Sequence, residues 1–237
     1  YLGDAMGAPS TLVPKEHMSI YNVGTQCVQD LFSGVRVFEN VKPVNMIQYF
    51  INMIVQDGDM IMDFFSGSAT TAQAVMQTQI DKNIDLNYIL VQVPEKCDES
   101  SDAFKAGYKT ICEIGKERIR MASKKIKGDN PEANADYGFR VFSVDESNMN
   151  DVYYSPAEYS QDLLTMLESN VKPDRTDLDL LFGCILDWGL PLSLPYNSEQ
   201  IEGCMVHNYN NGDLIACFDE NIPCLLYTSE LPTSDLV

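Results

Sequence analysis

The sequence predicts an α/β protein: part of a doubly wound sheet over residues 34–128, followed by a small acidic α+β region over residues 133–223. Two observations carry this. Met60–Phe65 is a short apolar run, followed by Ser66-Gly67-Ser68, a helical pattern from Thr70 to Gln77, and a second apolar run, Tyr88–Val93, stopped by Pro94. Strand, tight turn, helix and strand in that order make a βαβ unit with parallel pairing. The charge is also uneven. Residues 1–127 hold thirteen basic against fifteen acidic residues, whereas residues 128–223 hold only Arg140, Lys172 and Arg175 against eighteen acids, which places a boundary near Lys127.

Taken in order, residues 1–33 mix Gly, Pro and polar residues without a period; little structure is expected there, and they read as the remnant of an upstream region. Val44, Ile47, Ile51, Ile54 and Val55 follow helical spacing, and Pro43 suits the first turn, where its missing N–H is no loss. Asp57-Gly58-Asp59 ends that helix. Beyond the βαβ unit, Phe104, Tyr108, Ile111, Ile119, Ala122 and Ile126 keep one stripe, so a single long helix is expected from Asp102 to Lys127. Gly107 and Gly115 fall inside it at about 1 kcal/mol each relative to Ala, which calls for a packing reason.

After the linker Gly128–Pro131, Gly138–Val144 alternates like a strand, and Leu163–Leu167 and Leu178–Trp188 read as helices. Met205–Tyr209 and Leu214–Phe218 flank Asn210-Asn211-Gly212-Asp213, a hairpin signal because Asn-Gly supplies the positive φ angles of a tight turn. Cys224–Ser229 is the peptide obtained by translating a transposase-library sequencing adapter. Residues 224–237 are therefore expected to be an artefact, and the reading frame to be broken at both ends.

Composition narrows the function. The formal net charge is −19, and 45% hydrophobic residues are enough for a substantial core. No apolar run approaches the roughly 18 residues of a membrane span, and no signal core opens the chain, so a cytoplasmic protein is expected. Seven cysteines without a C-x-x-C pair, and only His17 and His207 beside them, point to buried reduced thiols, with neither a metal site nor a disulfide framework. The acidic second half repels phosphate backbones and is expected to face protein. Residues 105–127 hold eight of the sixteen basic residues, opposed only by Glu113 and Glu117. A solvated helix face is the commoner meaning of such a run, and DNA contact the sharper one.

The chemistry-bearing stretch is Asp63-Phe64-Phe65-Ser66-Gly67-Ser68-Ala69-Thr70-Thr71-Ala72, where the first strand turns into its helix. Small residues there let the backbone approach a ligand, and the helix start offers unpaired N–H groups. It lacks the G-x-x-x-x-G-K of a triphosphate loop and the three-glycine dinucleotide pattern, which disfavours a nicotinamide-dependent oxidoreductase. From these residues alone, a ligand loop and an ordinary tight turn stand about even.

Several separated segments, in one order, resemble the C-terminal half of the modification (Mod) subunit of type III restriction-modification systems, an adenine-N6 DNA methyltransferase of the β class. They are Val37-Phe38-Glu39-Asn40 to Lys42-Pro43, the Asp63–Ala72 loop, Ile89–Glu95, Ala106–Arg120, Gly138–Phe142, Trp188-Gly189-Leu190 and Leu214–Asp219, and the resemblance runs from about Leu31 to Ile222. It implies a Rossmann-like sheet that binds S-adenosyl-L-methionine. The implied cofactor residues are Phe38, Lys42, Pro43, Asp63, Phe64, Phe65, Ser66, Gly67, Ser68, Thr70, Thr71 and Gln92. Lys42 and Pro43 would help hold the methionine part, Asp63 would lie nearest its positive end, and Phe64 and Phe65 would flank the ligand; core packing is the commoner role for such aromatics.

Two positions depart from the family. Ala69 stands where a second glycine is usual, and Gln92 where many related enzymes carry a ribose-binding carboxylate, for which Glu95 is an alternative. The family's Asp-Pro-Pro-Tyr motif, which holds the flipped adenine, has no counterpart, since the chain contains no Pro-Pro pair. In this class the motif precedes the cofactor loop, so no catalytic residue is assigned and no methyl transfer is expected from these 237 residues alone. The resemblance further implies DNA as the parent enzyme's substrate, a Mod homodimer and a restriction (Res) subunit as partners, and no membrane. The alternative is a non-catalytic subunit-interaction module whose loop binds nothing.

Overall fold

The computed structural model describes residues 23–150 and 170–224, which form two compact units divided between Phe139 and Arg140. The expected helix at Leu163–Leu167 lies outside the described residues. The first unit runs α1 (Val23–Leu31), α2 (Val44–Ile54), β1 (Met60–Asp63), α3 (Thr70–Lys82), β2 (Asn87–Leu90), α4 (Asp102–Lys105) and α5 (Ile111–Asp129). β1 and β2 pair in parallel from Met60↔Asn87 to Asp63↔Leu90, with α3 as the crossover, so the βαβ unit is present.

α3 packs against both α2 and α5. Its sequence explains how it fits there: Thr70 to Ile80 carries no charge and is rich in Ala, Thr and Gln. Ala72, Ala74, Val75 and Thr78 are fully buried on different sides of the helix. A helix covered on more than one side needs small, uncharged residues all round rather than one apolar stripe. It is capped at Lys82 by Asn83 in the left-handed conformation, φ +53°. Ile61 and Tyr88 turn from the sheet toward this layer, while Met60, Met62 and Ile89 on the alternate positions are exposed.

Three expectations for this unit are corrected. Residues 23–31, expected to have little structure, form α1. Gly24 is a point of close approach: a β-carbon there would stand 2.1 Å from the Val41 carbonyl oxygen. α1 thereby lies against the 37–42 segment, with Val28, Phe32, Val37 and Val41 in one cluster and Thr25 Oγ1 donating to the Glu39 carbonyl at 2.8 Å.

The single long helix over 102–127 is instead two helices. Gly107 takes φ +99°, and Thr110 opens α5 with a capping box, its hydroxyl accepting from the Glu113 amide and the Glu113 carboxylate accepting from the Thr110 amide. Thr-x-x-Glu was the sequence signal for that start. Nor do residues 138–144 form a strand, because alternation needs a ladder partner and none is present among the described residues. Phe139 packs instead into the Met76, Ile119 and Ile126 cluster, under the Arg120 guanidinium at 5.7 Å.

The second unit holds α6 (Asp177–Asp187) and an antiparallel sheet of β3 (Tyr196–Ile201), β4 (Cys204–Tyr209) and β5 (Leu214–Cys217). The β4–β5 hairpin follows its sequence signal, with Asn210, Asn211 and Gly212 at φ +48°, +55° and +115°. β3 was not expected. Its middle residues, Asn197 to Gln200, are polar and exposed, so no alternation marks it, and the Glu202-Gly203 turn that joins it to β4 takes φ +50° and +89°. Leu181, Ile185, Tyr209 and Leu214 form the core. Arg140 donates to the Leu192 and Leu194 carbonyls between the Phe182 and Tyr196 rings. Among the described residues, no helix is long and apolar enough to cross a membrane.

Candidate functional site

The site is the connection from β1 to α3. Gly67 and Ala69 both take left-handed backbone, φ +51° and +60°, and Ala69 is the residue before α3. An L-residue held there costs roughly 1–2 kcal/mol, which is why glycine suits this position. The surroundings fix the turn. The Ser66 amide donates to the Val91 carbonyl at 3.2 Å, the Ala69 amide to the Ser66 carbonyl at 2.7 Å, and the Gly67 amide to Gln92 Oε1 at 2.7 Å. The Phe38 ring lies against Gly67, where a β-carbon would stand 3.4 Å from it.

Asp63 ends β1 and holds both sides of the loop. Its Oδ1 accepts from the Phe65 amide at 3.1 Å and its Oδ2 from the Thr71 hydroxyl at 2.5 Å. No cation pairs with this carboxylate among the described residues, so its charge is answered only by those donors. Phe64 and Phe65, for which core packing was the commoner expectation, are 60% and 87% exposed. Two bare rings beside a tight turn leave apolar surface available to a ligand.

The remaining expected residues divide. The structure brings Phe38, Asp63, Ser66, Gly67, Ser68, Thr70, Thr71 and Gln92 together around the turn. The Ser68 and Thr70 hydroxyls face inward and accept from Arg118, and the Gln92 amide group donates to the Val93 carbonyl at 3.1 Å. Pro43 is the residue before α2, and Lys42 is exposed.

Arg118 is the residue that the sequence reading missed. It lies in α5 on the row Ile114, Arg118, Ala122 and Ile126, four residues apart, so its place on the apolar stripe was the available signal. Its guanidinium is fully buried beneath the loop. Gly115, one turn earlier, supplies the packing reason the sequence called for, since it lies against the carbonyl of Gly67. Of the other basic residues in this stretch, Lys105 pairs with Asp102 at 3.7 Å and Arg120 with Glu117 at 3.0 Å, while Lys124, Lys125 and Lys127 are exposed.

All seven cysteines are unpaired thiols, but only Cys204 is fully buried. Cys204, Cys217 and Asp219, a grouping not foreseen from their spacing, bring their donor atoms within 4.8 Å of one another. Hydrogen bonding already accounts for them: Asp219 Oδ2 accepts from the Met205 amide at 2.7 Å and from the Cys217 thiol at 3.7 Å, and burial pushes the Cys204 thiol up, toward its protonated form.

The first unit thus holds a βαβ element whose first turn is left-handed, built of small residues and flanked by two exposed aromatic rings. Residues 14–124 match the DNA methylase family N6_N4_Mtase. The chain is 34% identical over 142 residues to the StyLTI Mod subunit of a type III restriction-modification enzyme from Salmonella typhimurium, covering 60% of this chain and 22% of the relative. It is 31% identical over 193 residues to the EcoP15I Mod subunit of Escherichia coli, covering 78% of this chain and 27% of the relative. The EcoPI Mod subunit of Escherichia phage P1 is 30% identical over 182 residues, 76% of this chain and 27% of the relative. The chain is thus similar to a DNA methylase family over residues 14–124 and to type III Mod subunits over 60–78% of its own length, and it spans about a quarter of the length of those relatives.

Proposed function

We propose that this chain carries the S-adenosylmethionine-binding loop of a site-specific adenine-N6 DNA methyltransferase, on a Rossmann-like sheet of which β1 and β2 are part. One observation supports this most: the Asp63 carboxylate, with no cationic partner among the described residues, stands at the end of β1 beside a left-handed turn and two exposed aromatic rings. A ligand with a positively charged sulfonium and an adenine ring suits that combination of charge, bare backbone and apolar surface.

In this reading Asp63 faces the positive end of the cofactor, Phe64 and Phe65 cover it, and Gly67 lets the backbone come close. Phe38, Lys42 and Pro43 supply a second wall. Ser66, Ser68, Thr70, Thr71 and Gln92 keep the turn in shape through the hydrogen bonds described above. When bound, S-adenosylmethionine supplies the methyl group. No Pro-Pro pair is present in these 237 residues, so none of them is assigned to gripping adenine. The cytoplasm is the compartment in which such an enzyme meets DNA.

The acidic second half is proposed to contact protein, either a second Mod copy or a restriction subunit. Its three basic residues against eighteen acids oppose a phosphate backbone. The cofactor reading is tested in a protein of the relatives' full length that contains this sequence, by following methyl transfer from S-adenosylmethionine to adenine N6. Asp63→Ala should weaken cofactor binding there, and unchanged binding would remove Asp63 from the site.

A further inference from the structure

The most deeply buried charge described in the chain has no direct place in the ligand contacts proposed above. Arg118 is fully buried, and among the described residues no carboxylate pairs with it. Burial pushes its guanidinium down to about 10, so it stays charged at neutral pH. Oxygen dipoles answer the charge instead. Nη1 donates to the Ser68 carbonyl at 3.2 Å, the Ser68 hydroxyl at 2.8 Å and the Thr70 hydroxyl at 2.6 Å. Nε and Nη2 donate to Gln73 Oε1 at 3.3 and 3.0 Å.

These partners are placed in a telling way. Ser68 and Thr70 flank Ala69, the non-glycine residue held at φ +60°, and Gln73 lies one turn into α3. A desolvated cation without a counter-ion depends on every oxygen around it, so its position dictates theirs. A planar fork reaches the loop and the helix at once. An ammonium on a flexible stem cannot do so with the same geometry.

We propose that Arg118 is the positioning residue of the 66–70 loop: its guanidinium, carried by α5, imposes the left-handed backbone of the turn, and affinity for an adenosyl ligand depends on it through that backbone. Only the second half of this statement rests on the cofactor reading.

The 237-residue chain tests both halves. Three loop amides have acceptors, those of Ser66, Gly67 and Ala69, and their hydrogen exchange reports the turn without any ligand. Arg118→Lys should speed exchange at these three amides by about ten-fold relative to Val75 and Met76 in α3, and should weaken S-adenosylhomocysteine binding by about ten-fold. Ile126→Ala, a loss of core contact two turns along α5, should lower the melting temperature without selectively loosening the loop. If Arg118→Lys fails to fold, Ser68→Ala and Thr70→Val remove the acceptors singly and should loosen the same amides.

Wild-type protection of the loop in Arg118→Lys, or equal loosening in Ile126→Ala, would overturn the proposal while leaving the cofactor reading intact. Loosening without loss of affinity overturns the dependence of binding on Arg118. Loosening in a chain whose wild type binds no S-adenosylhomocysteine upholds the positioning role and overturns the cofactor reading.

Discussion

Gly115 of α5 stands against the carbonyl oxygen of Gly67: a β-carbon at Gly115 would meet that oxygen at 3.3 Å and Ala69 Cβ at 3.7 Å. Gly128, near the other end of the same helix, faces open space. Replacing glycine by alanine within a helix gains about 1 kcal/mol where nothing opposes it. Gly128→Ala should therefore stabilise the chain by up to about that amount in urea unfolding. Gly115→Ala should give no gain, because the backbone of the loop has to yield. Equal stabilisation by both would show that α5 does not press on the turn.

The Tyr88 hydroxyl is buried with no hydrogen-bond partner among the described residues, and its pKa is raised to about 12, first by desolvation and then by Asp136. In the unfolded chain the phenol ionises near its ordinary value of about 10. Below that pH both states keep the proton and stability is unaffected. Between about 10 and 12 only the unfolded state releases it, so stability falls with rising pH, by at most about 1.4 kcal/mol per unit. Unfolding measured across this window should show the decline in the wild type and a smaller one in Tyr88→Phe. At neutral pH Tyr88→Phe should be neutral or slightly stabilising, since it removes an unsatisfied hydroxyl.

Gln92 holds the Gly67 amide at 2.7 Å. Gln92→Glu keeps an acceptor and should leave the loop in place. Gln92→Met strands the amide and should cost about 1 kcal/mol in chemical unfolding, with faster exchange at Gly67. Equal behaviour of the two variants would mean that the side chain does not hold the turn.

The acidic unit gives a prediction of assembly. Removing residues 140–224 from a protein of the relatives' full length should disturb oligomeric state, seen by sedimentation, more than DNA affinity titrated across salt. Intact assembly with abolished DNA binding would reverse the assignment of this face.

The βαβ unit was legible because its order of apolar runs and small turn residues is local. Met60–Asp63, Thr70–Lys82 and Asn87–Leu90 keep the expected order, although both strands end before their apolar runs do and the helix continues past Gln77 to Lys82. What was not legible depended on contacts between distant segments. Gly115 looks like a weak point in a helix, and only the approach of Gly67 explains it; α1 went unforeseen because its close approach to Val41 at Gly24 joins separate segments. Residues 138–144 alternate as a strand would, but pairing requires a neighbour that alternation cannot reveal. Around the turn, the sequence marked the small residues and Asp63. It could not show that the Ser68 and Thr70 hydroxyls point inward to Arg118: the apolar stripe marks Arg118 as buried, but contacts between residues 50 and 48 positions apart leave no local pattern.

Binding of S-adenosylmethionine at the Asp63–Thr71 turn, as proposed, should be visible in amide chemical shifts followed during titration of the chain with the cofactor. Binding should be saturable and weak, because a cofactor pocket normally buries most of its ligand and the proposed residues form only part of one. The shift changes should centre on Phe38, Asp63–Gly67 and Gln92, and Asp63→Ala should reduce the affinity. Saturable changes confined to residues away from this turn, or none at cofactor concentrations that saturate a weak site, would contradict it.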